Sequence, residues 1–193
     1  MAIVGILLAA GRGVRFDASG ANDKLMQALP DGERVALASA RRLLNALPDV
    51  VAVVRPGANE LAAQLRALGC RVEICQTADQ GMGASLVCAM SQARDAEGWI
   101  IGLADMPHVQ AATVQTLLAA LQDGAGIVQP TYHGTPGNPV GFGRQHLVQL
   151  LQLGGDQGAR ALLKAHPVSR IAVEDAGILQ DIDTPADLPG RIG

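Results

Sequence analysis

Short apolar runs alternate with stretches of helical period through the first two thirds of the chain. The runs predict strands over 3–9, 50–54, 71–75 and 99–103, and the periodic stretches predict helices over 35–47, 58–68, 83–95 and 110–122. Pro48, Gly57, Gly69 and Gly98 stand where the chain must turn between them. Strand and helix in strict alternation is the mark of parallel strands covered on both faces. After Gly126 the pattern changes. Residues 127–132, a turn around 134–137, and 139–142 read as an extended excursion or hairpin. Helices around 144–152 and 156–165, strands around 168–173 and 178–182, and a short helix from Pro185 complete the expectation. The expected fold is α/β: a Rossmann-like, three-layer, open and mostly parallel sheet with helices on both faces, with residues 1–193 forming one domain.

Composition narrows the partners. The chain is 49% hydrophobic but only 2% aromatic, so Ala, Val, Leu and Ile must build the core and no aromatic surface is left for stacking bases. A net charge of −3 and a pI near 5.7 argue against nucleic acid or a membrane surface as partner. No apolar run reaches the ~18 residues of a membrane span, and the first strand follows Met1 without a charged leader, so a cytoplasmic protein is expected. Cys70, Cys75 and Cys88 lack the spacing of a zinc site or disulfide framework and read as buried free thiols.

The candidate chemistry falls at strand ends. Directly after the first run, Gly11 and Gly13 allow a sharp turn that aims backbone N–H groups at an anion, and Arg12, Arg15 and Lys24 add positive charge. A triphosphate would suit this loop, although Phe16 stands where a dinucleotide fingerprint needs its third small residue. At the end of 99–103, Asp105 is placed to hold a hard cation or, alternatively, to cap the next helix. Asp181 and Asp183 alternate onto one side of an extended segment, and Thr184-Pro185 is equally a normal helix start. In 76–86, Gly81 and Gly83 permit close approach of a flat ligand, Gln76 could pair with a base edge, and Ser85 lies near a helix N-terminus. A glycine-rich entry to a helix is the plainer reading. Asp156 and Arg160, by themselves, read as an N-cap and a solvated helix residue.

Leu8-Ala9-Ala10-Gly11, Gly13, Arg15-Phe16 and Asp23-Lys24-Leu25 together resemble the signature LAAGxGxRF/M…(D/N)K of the molybdenum-cofactor nucleotidyltransferases, within the nucleoside-triphosphate transferase superfamily. The spacer from Phe16 to Asp23 is longer than is usual there. Leu103-Ala104-Asp105-Met106-Pro107 is similar to the family's LxDMP, Asp181–Leu188 to D(I/V)DTPxDL, and Gly81–Leu86 to GMxxSL. Residues 137–142 resemble GHPVxF with Asn138 in place of His, and 155–160 resemble GDxGAR. The motifs keep their order over nearly the whole chain.

The resemblance implies a nucleotide-diphospho-sugar transferase-like fold, a magnesium ion (Mg2+) held by Asp105 and Asp183, and catalysis by Lys24, Arg15 and Asp105. It assigns the nucleotide to Leu8, Ala9, Ala10, Gly11, Arg12, Gly13, Lys24, Gln76, Gly81, Gly83, Ser85 and Asp105, and the acceptor to Asn138, Pro139, Gly155, Asp156 and Arg160. Guanylyl-transferring relatives carry LAGG, so Ala10 favours a pyrimidine. The expected activity is transfer of CMP from CTP to molybdopterin, the molybdenum cofactor, with a recipient molybdoenzyme or its chaperone as a conceivable further partner. GTP or a sugar or polyol phosphate as substrate is one alternative, and a non-catalytic cofactor-delivery protein is another.

Overall fold

The computed structural model describes residues 2–19, 22–155 and 158–188. Strand β1 (Ile3–Ala9) lies at the centre of the sheet, paired in parallel with β2 (Val50–Val54) and β4 (Gly98–Leu103). All three are buried along nearly their whole length, as apolar runs without alternation require. β3 (Arg71–Ile74) continues the sheet beyond β2 and, as an edge, carries exposed Arg71. On the other side β7 (Val140–Gly143) joins antiparallel between β4 and β5 (Ile127–Tyr132). β5 also pairs with the two-residue β6 (Thr135–Pro136) and, in parallel, with β8 (Ser169–Ala172).

The helices form the outer layers. α1 (Val35–Leu44), α2 (Asn59–Leu68) and α4 (Ala111–Gln122) bury Leu43, Leu65 and Leu117 in one apolar cluster with Leu7, Ala9, Ala52 and Val54. α3 (Met82–Ser91), α5 (Leu147–Leu151) and α6 (Arg160–Ala165) bury Leu86, Leu150 and Leu162 in the opposite cluster with Ile6, Val51 and Val53. Strand alternation divides neighbouring residues between these two cores. The three-layer, mostly parallel α/β fold is therefore as the sequence indicates. No helix among the described residues is long and apolar enough to cross a membrane.

One element differs from the pattern. Residues 178–182 were expected as a strand, but Ala176–Leu179 is a 3-10 turn and residues 180–184 stay irregular, before the expected short helix from Pro185 forms as a 3-10 turn (Pro185–Asp187). Its hydrogen bonds go to two different places: Asn138 N–H donates to the Ile178 carbonyl (3.0 Å), and Ile182 N–H donates to the Asp105 carbonyl (2.8 Å). A segment tied first to one strand's loop and then to another's cannot form a ladder. Close backbone approach fixes the crossing, since a Cβ on Gly177 would collide with the His108 carbonyl and one on Gly137 with that of Ile178. Asp175, 2% exposed, anchors the crossing by accepting from Gly177 N–H, Gln110 N–H and the Thr113 hydroxyl.

Candidate active site

The C-terminal ends of β1 and β4 lie side by side, with Leu8 in register with Leu103. The loop that follows each strand therefore opens onto the same edge, where open α/β sheets bind ligands. The crossing at Ile182 brings the C-terminal segment onto Asp105, so that Ile182 is buried (1% exposed) while Asp181 and Asp183, on either side of it, line the opening. The result is a crevice of about 480 Å3.

Lys24 is at its centre. Its ammonium donates to Asp105 Oδ2 at 2.7 Å and to Asp183 Oδ1 at 3.2 Å, although the two aspartates are far apart in the chain. Burial alone would lower its pKa, but hydrogen bonds and charge from Asp105 and Asp183 outweigh that and raise it, so Lys24 stays charged. Arg15 reaches the other oxygen of Asp183 at 2.6 Å from an exposed position. Asp181 has a raised pKa, first because burial disfavours its charge and then because Asp183 and Asp105 repel it. Asp105 Oδ1 is buried without a hydrogen-bond partner among the described residues. Such an oxygen is the sort of group a hard cation satisfies. No group of three or more His, Cys, Asp or Glu among the described residues is arranged to hold a metal alone. Two carboxylates converging on one crevice are a donor set that a hard divalent cation, completed by ligand oxygens, fits.

The glycine-rich loop forms one wall. Gly13 has φ +62°, and a Cβ there would lie 3.3 Å from Cγ of Lys24, so the missing side chain lets the lysine stem pass beneath the loop. Lys24 belongs to a 3-10 turn (Lys24–Met26) capped by Asp23, which accepts from Leu25 N–H. Within the long spacer Asp17 accepts from Ser19 and Asn22; these bonds, that of Ser19 first, hold its carboxyl down at about 2. Lys24 thus reaches the crevice despite the added length.

Of the sequence-derived candidates, Leu8, Ala10, Gly11, Arg12, Gly13, Arg15, Lys24, Gly81, Ser85, Asp105, Arg160 and Asp183 all line this crevice. Ala9 does not, because alternation turns its side chain into the core on the α1 side. Gln76 is exposed beyond the end of β3 and lies outside the lining, whereas Ala78 and Asp79 are part of it. Gly83 serves packing: a Cβ would come within 2.7 Å of the Gly154 backbone. The capping alternative for Asp105 is superseded, since Asp175 meets the start of α4. Asp181, Met82, Val14 and Asp79 line the crevice without having been singled out as site residues. For Asp181 the i, i+2 spacing with Asp183 was the available signal.

A smaller cavity of about 80 Å3 adjoins the crevice and shares Leu8, Met82, Leu103 and Arg160 with it. Asn138 lines it along with apolar Val140, Phe142 and Leu163. Pro139 instead borders a separate small cavity with Leu7 and Ser39. Gly155, at φ +61°, borders none of these three openings, and Asp156 lies outside the described residues.

The chain and its fold have counterparts. The sequence profile of the MobA-like NTP transferase domain matches residues 5–171. The chain belongs to that family. It is a nucleotidyltransferase. Among solved structures, Rv0371c from Mycobacterium tuberculosis is 26% identical with a TM-score of 0.79, over 97% of this chain and 96% of that one. The same mycobacterial protein has also been solved in complex with manganese. A nucleotidyl transferase from Methanothermobacter shares the fold at 24% identity and TM-score 0.81, over 96% and 94% of the two chains. Molybdopterin-guanine dinucleotide biosynthesis protein A from Archaeoglobus fulgidus shares it at 19% and 0.67, over 96% and 94%. No curated protein sequence matches the chain.

Proposed function

We propose that this nucleotidyltransferase depends on a divalent metal, magnesium in its ordinary working state, and transfers CMP from CTP to molybdopterin. The observation that carries the reading is the meeting of Asp105, Asp183 and Lys24 beneath the glycine-rich loop, with one oxygen of Asp105 left without a partner among the described residues. That Rv0371c has been solved in complex with manganese supports dependence on a divalent ion. Bound by Asp105 and Asp183, the ion would supply charge neutralisation at the reacting phosphates.

The chain's own residues do the positioning. Arg12, Arg15 and Lys24 offer three cations to a triphosphate in a protein whose net charge is −3. On binding, Lys24 and Arg15 exchange carboxylate partners for phosphate oxygens. Ala10, 5% exposed and part of the lining, narrows the base side by one methyl and favours a pyrimidine. Gly81, Met82 and Ser85 flank the ribose and base. The adjoining cavity, apolar but for Asn138 and Arg160, suits a planar pterin whose phosphate faces Arg160. An oxygen of that phosphate forms a bond to the α-phosphorus, the bond from the α-phosphorus to the bridging oxygen breaks, and pyrophosphate leaves. No protein nucleophile is required, so catalysis is orientation and electrostatic stabilisation.

The test is pyrophosphate release with Mg2+, each of the four nucleoside triphosphates, and molybdopterin present or absent. Release that needs both CTP and molybdopterin is expected. Preference for another nucleotide would overturn the cytidylyl reading, and turnover with a sugar phosphate but not with molybdopterin would overturn the acceptor.

A further inference from the structure

Arg55 follows the last residue of β2 and does not line the crevice. Its guanidinium nevertheless joins the two segments that build the phosphate side of the site. Nη1 donates to the Gly11 carbonyl at 2.7 Å, and Nη2 pairs with Asp23 Oδ2 at 2.9 Å. The other oxygen of Asp23 accepts from Leu25 N–H at 3.0 Å and so starts the turn that carries Lys24. A continuous chain of contacts runs from the Gly11 carbonyl through Arg55 and Asp23 to Lys24, and from there to Asp105 and Asp183.

We infer that Arg55 is the positioning residue for the triphosphate: it fixes the glycine-rich loop and the Lys24 turn in one mutual geometry and neutralises Asp23 beside an incoming polyanion. The inference rests on the nucleotidyltransferase reading of the crevice. Three physical points carry it. First, Arg55 reaches both segments from outside the spacer, where Asp17 bonds within the spacer to Ser19 and Asn22. Second, in a trans peptide the C=O and the following N–H point in opposite directions, so holding the Gly11 carbonyl against Arg55 turns the Arg12 N–H the other way. Third, the planar guanidinium holds the carbonyl and the carboxylate with two donors at a fixed separation, whereas a lysine ammonium carries its donors on one rotatable nitrogen and fixes no such spacing. Arg55 and Asp23 are 29% and 22% exposed, and an ion pair in that setting adds little to global stability. The effect should therefore fall on the ligand.

The test is a double-mutant cycle of Arg55→Gln, Asp23→Asn and both together, with Arg55→Lys as a second probe of the fork, read by calorimetry with CTP and with inorganic triphosphate. Arg55→Gln is expected to weaken both ligands about tenfold and to raise KM for CTP without changing KM for the acceptor, with Tm nearly unchanged. The double variant should be no weaker than Arg55→Gln, because both changes break the same link. Amide exchange over residues 11–25 of the ligand-free variant should be faster than in wild type. Wild-type affinity for triphosphate in Arg55→Gln and Arg55→Lys, multiplied losses in the double variant, or unchanged exchange would each overturn the inference. If instead the wild type binds triphosphate and the cycle behaves as stated, but no pyrophosphate is released with molybdopterin, the proposed reaction fails while the role of Arg55 stands.

Discussion

Lys24 bridges two carboxylates that are brought together only by folding, and Asp105 keeps one oxygen beside it without a partner among the described residues. Replacing Asp105 or Asp183 by the isosteric Asn keeps the shape and removes the charge that would hold a cation. Each variant is expected to lose at least two decades of kcat/KM, about 3 kcal/mol of transition-state stabilisation at ~1.4 kcal/mol per decade. Tm should hardly move, and rates within a few-fold of wild type would remove the carboxylates from the mechanism. Base choice also belongs at this scale. Ala10→Gly is expected to lower the CTP-to-GTP ratio of kcat/KM by about 10- to 200-fold at most, the range for one methyl in a pocket. A wild-type ratio below one would discard the cytidylyl reading and leave nucleotidyl transfer in place. The motif residues around both positions were legible in the sequence because they follow strands directly. Arg55 and the capping work of Asp23 were not, because neither has a periodic or spacing signal that links distant segments.

At the level of elements, α3 shows how a motif glycine can serve packing. Gly83 was read as room for a ligand, yet its α-carbon faces the Gly154 backbone, where a Cβ would sit 2.7 Å from a carbonyl carbon. Gly83→Ala must therefore push the 152–155 segment away from α3, and overpacking of this kind costs about 1–3 kcal/mol. A drop of several degrees in Tm is expected, along with weaker binding of the acceptor, since Leu163 and Arg160 follow that segment into the adjoining cavity. An unchanged Tm would show that the loop yields freely. The Ala176–Leu179 turn teaches the converse lesson. Its apolar residues match a strand pattern, but only Ile178 among them is buried, in a crossing held by Asp175 and by close contacts at Gly177 and Gly137, while Leu179 is left exposed. Periodicity records which side is buried and says nothing of which partner covers it.

For the molecule as a whole, the acidic net charge is compatible with an anionic substrate because Arg12, Arg15, Lys24 and Arg160 meet at one strand edge. Stability should respond to pH at the alkaline end through Cys70, which is 5% exposed and whose thiol burial pushes up from 9.0 to about 11. Between those values the unfolded chain has lost its proton and the folded chain keeps it. Stability is thus fully present below pH 9, falls as pH rises through the window, and levels off above about 11. Urea denaturation of wild type and Cys70→Ala at pH 8 and pH 10.5 checks this. The variant is expected to start lower, for lost packing, and to decline less steeply. Equal slopes would mean that the thiol ionises as freely in the fold as in the unfolded chain.

The sequence by itself determined most of the order of strands and helices, the three-layer α/β class and the strand-end location of the glycine loop and Asp105. These depend on local periodicity and on chain direction, both of which are written along the backbone. Only the tertiary structure decided that Lys24 lies between Asp105 and Asp183, that Ala9 and Gln76 are turned away from the crevice, and that Arg55 ties Gly11 to Asp23. Those relations join residues tens of positions apart through single contacts, and a contact of that kind leaves no period in the sequence that makes it.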